Sequence, residues 1–123
     1  MISLSSVNEL ETANDALQSF KMQSPAFFEK LLHVVSLTRA LHFKYQYMGS
    51  LIVDGEKTVS SPEFVRPSVI QLYQNEVQQL KKDAEFQTLK EIFARYQTIG
   101  FAKLSLLILG NKPESLSGAV VIK

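Results

Sequence analysis

The chain of 123 residues contains no cysteine and no tryptophan. Without cysteine it cannot form a disulfide framework, an iron–sulfur cluster, a thiolate zinc site or a cysteine nucleophile. Its five glycines are scattered at positions 49, 55, 100, 110 and 118, so they do not build a glycine-rich loop that cradles a phosphate. Sites built on cysteine or on clustered glycine are therefore excluded.

The sequence also lacks an excess of either sign of charge. Lys and Arg number 13 against 12 Asp and Glu, which leaves a net charge of +1. A protein that coats nucleic acid, or that binds a membrane through a polybasic patch, usually carries a much larger excess. Hydrophobic residues make up 46% and charged residues 20% of the chain, as is typical of globular proteins. Length and composition together predict one domain with a core of its own.

The sequence has no long hydrophobic run. Its most apolar segment covers residues 99–110, whereas a membrane-spanning helix needs about 20 apolar residues. The first residues contain neither a basic leader nor an apolar stretch, and Glu9 and Glu11 follow closely, which is unlike a secretory signal. We therefore expect a soluble, cytoplasmic protein without a membrane span.

Helix start and stop signals divide the chain into predicted helices at about 6–22, 25–53, 67–83 and 88–109, a loop at 54–66 and a tail at 110–123. Ser6 and Glu9 have the spacing of a capping box. Pro25 directly follows Ser24, a pair that suits the start of a helix. Gly55 is a typical C-terminal signal for the second helix.

The third and fourth predicted helices are separated because the apolar stripe changes phase. Gln87 and Glu91 occupy positions where the stripe of the third helix would continue, and Thr88 and Glu91 have a second capping-box spacing. The alternative is one helix of about forty residues with a stutter in its repeat. We place the break near residues 83–88.

Residues 101–109 are apolar nearly throughout and fit two structures. They can complete the fourth helix, or they can form a strand that pairs with the C-terminal tail, because periodicity does not separate the two in a short apolar run. Continuity with the preceding stripe favours the helix. The predicted fold class is mainly all-α, a four-helix bundle-like single domain with an extended C-terminal tail. The alternative is α+β with a short hairpin at about 101–122.

The second predicted helix is apolar on opposite faces. One continuous stripe runs along it, formed by Phe27, Leu31, Val34, Thr38, Leu41, Tyr45, Met48 and Ile52. The opposite face carries Leu32, Phe43 and Tyr47, with Arg39 near its edge, where a surface helix is usually charged. Either three neighbouring helices cover both faces, or one face meets another chain, since exposed apolar patches mark interfaces.

These patterns favour a non-enzymatic protein–protein interaction module, such as an adaptor, an assembly chaperone or a regulatory subunit. The predicted partner-binding residues are Leu32, Arg39, Phe43 and Tyr47, because aromatic side chains beside an arginine are frequent interface anchors. We expect self-association as a homodimer, the commonest oligomer. No catalytic residue, metal ligand or cofactor is assigned, because the sequence has no nucleophile elbow, His-Glu-x-x-His pair or phosphate loop.

A nucleic-acid-binding regulator is the second candidate. Residues 39–48 interleave cationic and aromatic side chains, a mixture that can contact phosphates and stack on bases. The near-neutral net charge disfavours this function, because phosphate neutralisation dominates the affinity for nucleic acid. The basic residues that would serve it are Arg39, Lys44, Arg66, Lys90, Arg95 and Lys103.

Two further candidates involve small ligands. Glu29 and His33 share a helix face, so they can form half of a metal site or an acid–base pair in a metal-assisted enzyme, although a solvated pair is the simpler interpretation. The other ligands would be acidic residues from other helices, namely Glu76, Asp83, Glu85 or Glu91. A small-molecule-binding helical domain would line a cavity with side chains that more often form a core, namely Phe20, Met22, Phe27, Phe28, Phe43, Met48, Phe64, Phe86, Phe93 and Phe101.

Overall fold

The structure, a computed structural model, describes residues 4–55, 59–62 and 64–117 of the chain. Along this part of the chain, seven α-helices and one 3₁₀ turn follow in order: α1 Leu4–Gln23, α2 Pro25–Ala40, α3 Tyr45–Asp54, α4 Pro67–Lys81, α5 Phe86–Arg95, the 3₁₀ turn Gln97–Ile99, α6 Phe101–Ile108 and α7 Pro113–Ser117. No strand occurs in these ranges. The predicted, mainly all-α fold class is therefore confirmed.

The hairpin alternative is wrong for its first half, because the apolar residues from Phe101 to Ile108 form α6. Its second half, residues 118–122, lies outside the described residues. The predicted tail at 110–123 is also not extended throughout, because it contains α7. Among the described residues, every helix is too short or too polar to traverse a bilayer.

The helices pack around a common apolar core in which α3 is central. α3 contacts α2, α4, α5 and α6, while α1 packs against α2, α6 and α7. Apart from the half-buried Leu41 and Tyr45, every residue of the long stripe from Phe27 to Ile52 is buried. The core character predicted for that stripe is confirmed, even though one straight helix does not carry it.

The predicted continuous helix 25–53 is wrong, because the chain turns between α2 and α3. His42 adopts a left-handed backbone conformation with φ of 60°. Its N–H donates to the Arg39 carbonyl (3.0 Å), and the Phe43 N–H donates to the Thr38 carbonyl (2.9 Å). This pair of bonds is a Schellman motif, which satisfies the last carbonyls of a helix and redirects the chain.

The predicted helix at 88–109 is also interrupted. α5 ends at Arg95, a 3₁₀ turn follows, and Gly100 reaches φ of 105° before α6 begins. A positive φ is readily adopted by glycine, which has no Cβ, so Gly100 allows the change of direction between α5 and α6. The predicted break near 83–88 is present, because α4 ends at Lys81 and α5 begins at Phe86.

The central helix α3 approaches α6 closely at Gly49. A Cβ atom on Gly49 would lie 2.1 Å from Cγ of Phe101, far inside the optimal separation of about 3.5–4.0 Å between carbon atoms. The Phe101 ring stacks in turn on Phe93 of α5, with 5.8 Å between ring centroids. The missing side chain at Gly49 therefore sets the distance between α3 and the layer formed by α5 and α6.

A polar contact inside the core joins α2 to α4. Thr38 and Tyr73 are both fully buried, and their hydroxyl groups are hydrogen-bonded to each other. The Thr38 hydroxyl donates a hydrogen bond to the Val34 carbonyl at 2.7 Å, so its oxygen accepts the hydrogen bond that the Tyr73 hydroxyl donates. Burial raises the pKa of the Tyr73 phenol, because a buried phenolate loses its hydration.

We expect Gly49→Ala to lower the free energy of unfolding by about 1–3 kcal/mol, because the added methyl group overpacks the contact with Phe101. Urea denaturation followed by circular dichroism measures this loss. In a Phe101→Ala background the same change should cost less, since Cγ and both δ carbons of Phe101, the atoms that clash, are gone. An equal cost in both backgrounds would contradict the close approach of α3 and α6.

The raised pKa of Tyr73 makes stability depend on pH in the alkaline range. Its folded-state pKa lies above the ordinary value of about 10, so its contribution is complete below that pH and is lost as the pH rises above it. We expect Tyr73→Phe to reduce the fall in unfolding free energy above pH ~10. Denaturation at a series of pH values, with the half-buried Tyr96 changed to Phe as control, measures the two slopes. Equal slopes in the Tyr73→Phe variant and the unaltered protein would contradict the effect.

Candidate functional site

The structure places the four predicted partner-binding residues in different surroundings. Leu32 and Arg39 lie on α2, where Leu32 is half-buried and Arg39 is exposed. Phe43 and Tyr47 lie beyond the turn and are each only 7% exposed. The expected second apolar face of one straight helix is therefore wrong, because the Schellman turn carries its two aromatic residues into the core.

The buried aromatic residues still reach the surface at one point, an open cleft of about 600 Å³ beside the α2–α3 turn. That turn and the first half of α3 form one side of the cleft, and described residues of the loop before α4, at positions 59, 60, 62, 64 and 65, form the other. The described residues that line it are His42, Phe43, Lys44, Gln46, Tyr47, Ser50, Val59, Ser60, Pro62, Phe64 and Val65. Its size is within the range of known ligand-binding clefts.

The wall of the cleft on the α3 side is held by aromatic packing. Phe43 packs edge-on against Tyr73, with 4.8 Å between ring centroids, and against Tyr47 at 5.7 Å. Gln74 of α4 donates a hydrogen bond to the Tyr47 hydroxyl at 3.1 Å. Each ring is fixed by contacts within the molecule, so this wall is formed without any ligand.

Phe64 stands on the opposite side of the cleft and is not covered. Its relative exposure is 102%, and its φ of 62° lies in the left-handed region. This conformation is unusual for a bulky residue other than glycine. His42, the other described non-glycine residue with positive φ, lines the same cleft. Such conformations tend to cluster at functional sites, and both examples here border one cleft.

The described lining of the cleft contains one lysine and no acidic residue. His42 and Lys44 line the cleft and are exposed. Within the described part of the chain, neither the His42 ring nor the Lys44 ammonium group has a hydrogen-bond or ion-pair partner. The lysine charge is therefore available to an external group.

A second groove, of about 620 Å³, lies between α2 and α4 and contains Glu29 and His33. Nε2 of His33 lies 3.1 Å from Oε1 of Glu76, while Nζ of Lys30 lies 2.9 Å from Oδ2 of Asp83. Two of the acidic residues named as possible metal ligands thus contact basic side chains. In the described ranges, no three His, Asp or Glu side chains are grouped so that they could hold a metal ion. The polar side chains at this groove instead form two separate pairwise contacts, Lys30 with Asp83 and His33 with Glu76.

The basic residues of the nucleic-acid hypothesis belong to several elements. Arg39 lies in the last turn of α2, Lys44 and Arg66 at the N-caps of α3 and α4, Lys90 and Arg95 on α5, and Lys103 on α6. Only Lys44 among them lines the cleft. Of the remaining acidic candidates, Glu85 directly precedes α5 and Glu91 lies within it.

Most side chains of the proposed small-molecule cavity are packed in the core. Those buried are Phe20, Phe27, Phe28, Phe43, Met48, Phe93 and Phe101. Phe86 is half-buried, whereas Met22 is 82% exposed. The core interpretation of these residues is therefore confirmed, with Met22 and Phe64 as the exceptions.

Helical periodicity missed the loop side of the cleft. Val59, Phe64 and Val65 belong to the predicted loop 54–66, where no stripe is expected. A signal was nevertheless present, because Phe64 is an isolated aromatic residue in a segment bounded by Pro62 and Pro67. Loops carry binding residues disproportionately often, so Phe64, named above only as a possible cavity-lining side chain, also fits a binding role at the surface.

Comparison of the chain with protein-family models, with curated proteins and with solved structures found no match.

We expect His42→Gly to stabilise the protein relative to His42→Ala by about 1 kcal/mol, because glycine adopts the left-handed conformation without the Cβ penalty. Both variants lack the imidazole, so their difference isolates the backbone effect. Paired urea denaturation curves measure it. Equal stability of the two variants would show that residue 42 is not left-handed in solution.

Proposed function

We propose that this protein is a non-enzymatic protein–protein interaction module, such as an adaptor or a regulatory subunit, whose partner docks at the cleft beside the α2–α3 turn. The observation that carries the proposal is a fully exposed phenylalanine, Phe64, at the edge of a cleft walled by Phe43 and Tyr47. We call Phe43 and Tyr47 the aromatic wall. This wall, together with Phe64, His42 and Lys44, forms what we call the docking surface.

Phe64 supplies the anchor of the docking surface. Burying a phenylalanine side chain is worth about 1.5–3 kcal/mol relative to leaving it in water. At 102% exposure, Phe64 realises none of this gain within its own chain. A partner that covers the ring therefore gains the free energy of burying the Phe64 side chain. Large aromatic side chains are the residues that most often dominate binding energy.

The aromatic wall supplies a preformed receptor. Phe43 and Tyr47 are held by Tyr73 and Gln74, so their rings lose little freedom when a partner binds. Preorganisation of this kind lowers the entropic cost of association. The wall therefore supports binding even though little of each ring is exposed.

The shape of the docking surface favours a protein partner over a small molecule. A small ligand seated in the cleft would leave much of Phe64 in water, since that side chain is fully exposed at the edge of the cleft. A protein surface can cover the ring and fill the cleft together. The predicted homodimer stays a proposal of the same kind, in which a second copy supplies that surface.

Photo-crosslinking tests the proposal. We expect p-benzoylphenylalanine in place of Phe64 to give a discrete protein adduct on irradiation in cells of the organism that encodes the chain, because the partner covers this position. Denaturing gel electrophoresis and mass spectrometry identify the adduct, and an adduct of two copies of the chain would identify a homodimer.

Met22 provides the matched control for this experiment. It is also a large exposed apolar residue, at 82%, but it lies on α1 and is not among the residues that line the cleft. The same photo-reactive residue at position 22 should give no such adduct. Absence of an adduct at position 64, or the same products at both positions, would overturn the proposed function.

A further inference from the structure

We infer that the partner presents an acidic segment that contains a large apolar side chain. This inference rests on the proposed function and adds the chemistry of the partner to it. The apolar side chain lies between Phe64 and the aromatic wall, and the carboxylates lie beside Lys44 and His42.

Charge is the first step of the argument. Lys44 is exposed and lines the cleft without a carboxylate partner in the described part of the chain, unlike Lys30, which pairs with Asp83 at 2.9 Å. His42 lies two positions away in the same turn and offers ring nitrogens that can hydrogen-bond a carboxylic group. Complementary charge across an interface determines partner choice and association rate, so these groups select acidic residues.

Apolar contact is the second step. Phe64 and the aromatic wall lie on opposite sides of the cleft, and Val59 and Val65 line it on the same side as Phe64. An apolar side chain inserted there contacts aromatic or branched aliphatic groups on both sides. Charge alone at exposed positions contributes little affinity, so the partner needs both the apolar anchor and the carboxylates.

The same observations disfavour two other occupants. A second copy of the chain that used its own docking surface would bring both Lys44 side chains into one interface, because a two-fold interface pairs the same patch on both copies. The described lining of that patch offers neither lysine a carboxylate. A nucleic acid needs several phosphate contacts for appreciable affinity, whereas Lys44 is the sole lysine or arginine among the described residues that line the cleft.

Selection of random peptides displayed on phage against the whole chain tests the inference. We expect the enriched peptides to combine Asp or Glu with Phe, Trp, Leu or Ile. A fluorescent copy of the most enriched peptide should bind about five- to tenfold more weakly to Lys44→Glu, because the change removes an attraction and adds a repulsion. Phe64→Ser should weaken binding by more than about tenfold, as expected for an interface anchor.

Lys82→Glu is the matched control, because Lys82 is an exposed lysine at the C-terminus of α4. This substitution should leave peptide binding unchanged. Circular dichroism confirms that each variant is folded. Enrichment of basic or uncharged peptides, or equal weakening by Lys44→Glu and Lys82→Glu, would overturn the acidic partner. An adduct at position 64 would still support the proposed function in that case.

Two competition experiments complete the test. If oligothymidylate displaces the peptide and binds as tightly as the peptide does, the inference is overturned in favour of a nucleic acid. If dodecanoate displaces the peptide, the inference is overturned in favour of a small amphipathic acid. Failure of both competitors supports the inference. If no peptide is enriched and position 64 gives no adduct, the inference and the proposed function fall together.

Discussion

The hydrogen bond from the Phe43 N–H to the Thr38 carbonyl closes the turn on which the arrangement of the molecule depends. If α2 continued through this point, Phe43 and Tyr47 would project from its outer face. The turn instead packs them against Tyr73 and brings α3 between α2, α4, α5 and α6. The cleft follows from the same geometry, because the edges of these two rings form its wall.

Much of the helical structure could be predicted from the spacing of apolar residues. The gap between α4 and α5 is visible in the sequence because the stripe changes phase there, with Gln87 and Glu91 in its path. The turn after α2 leaves no such mark. Leu41, Tyr45 and Met48 continue the spacing of three and four residues across it, and a histidine occupies the left-handed position where glycine is the usual signal.

The candidate site was accessible to sequence reasoning only in part. Phe43 and Tyr47 were singled out from their position on a second apolar face, and they do line the cleft, although a different backbone path takes them there. Phe64 could not be found by periodicity, because its exposure depends on a left-handed residue in a loop. The free charge of Lys44 depends likewise on which carboxylates lie nearby, and this is a property of the tertiary structure.

The close contact between Gly49 and Phe101 has an evolutionary consequence. Two positions more than fifty residues apart in the sequence share one small volume, so neither can change size independently. In homologous chains we expect the two to covary, with alanine or serine at position 49 accompanied by a smaller side chain at position 101. Such a compensating pair would mark descent from the same packing arrangement even where the remaining sequence has diverged.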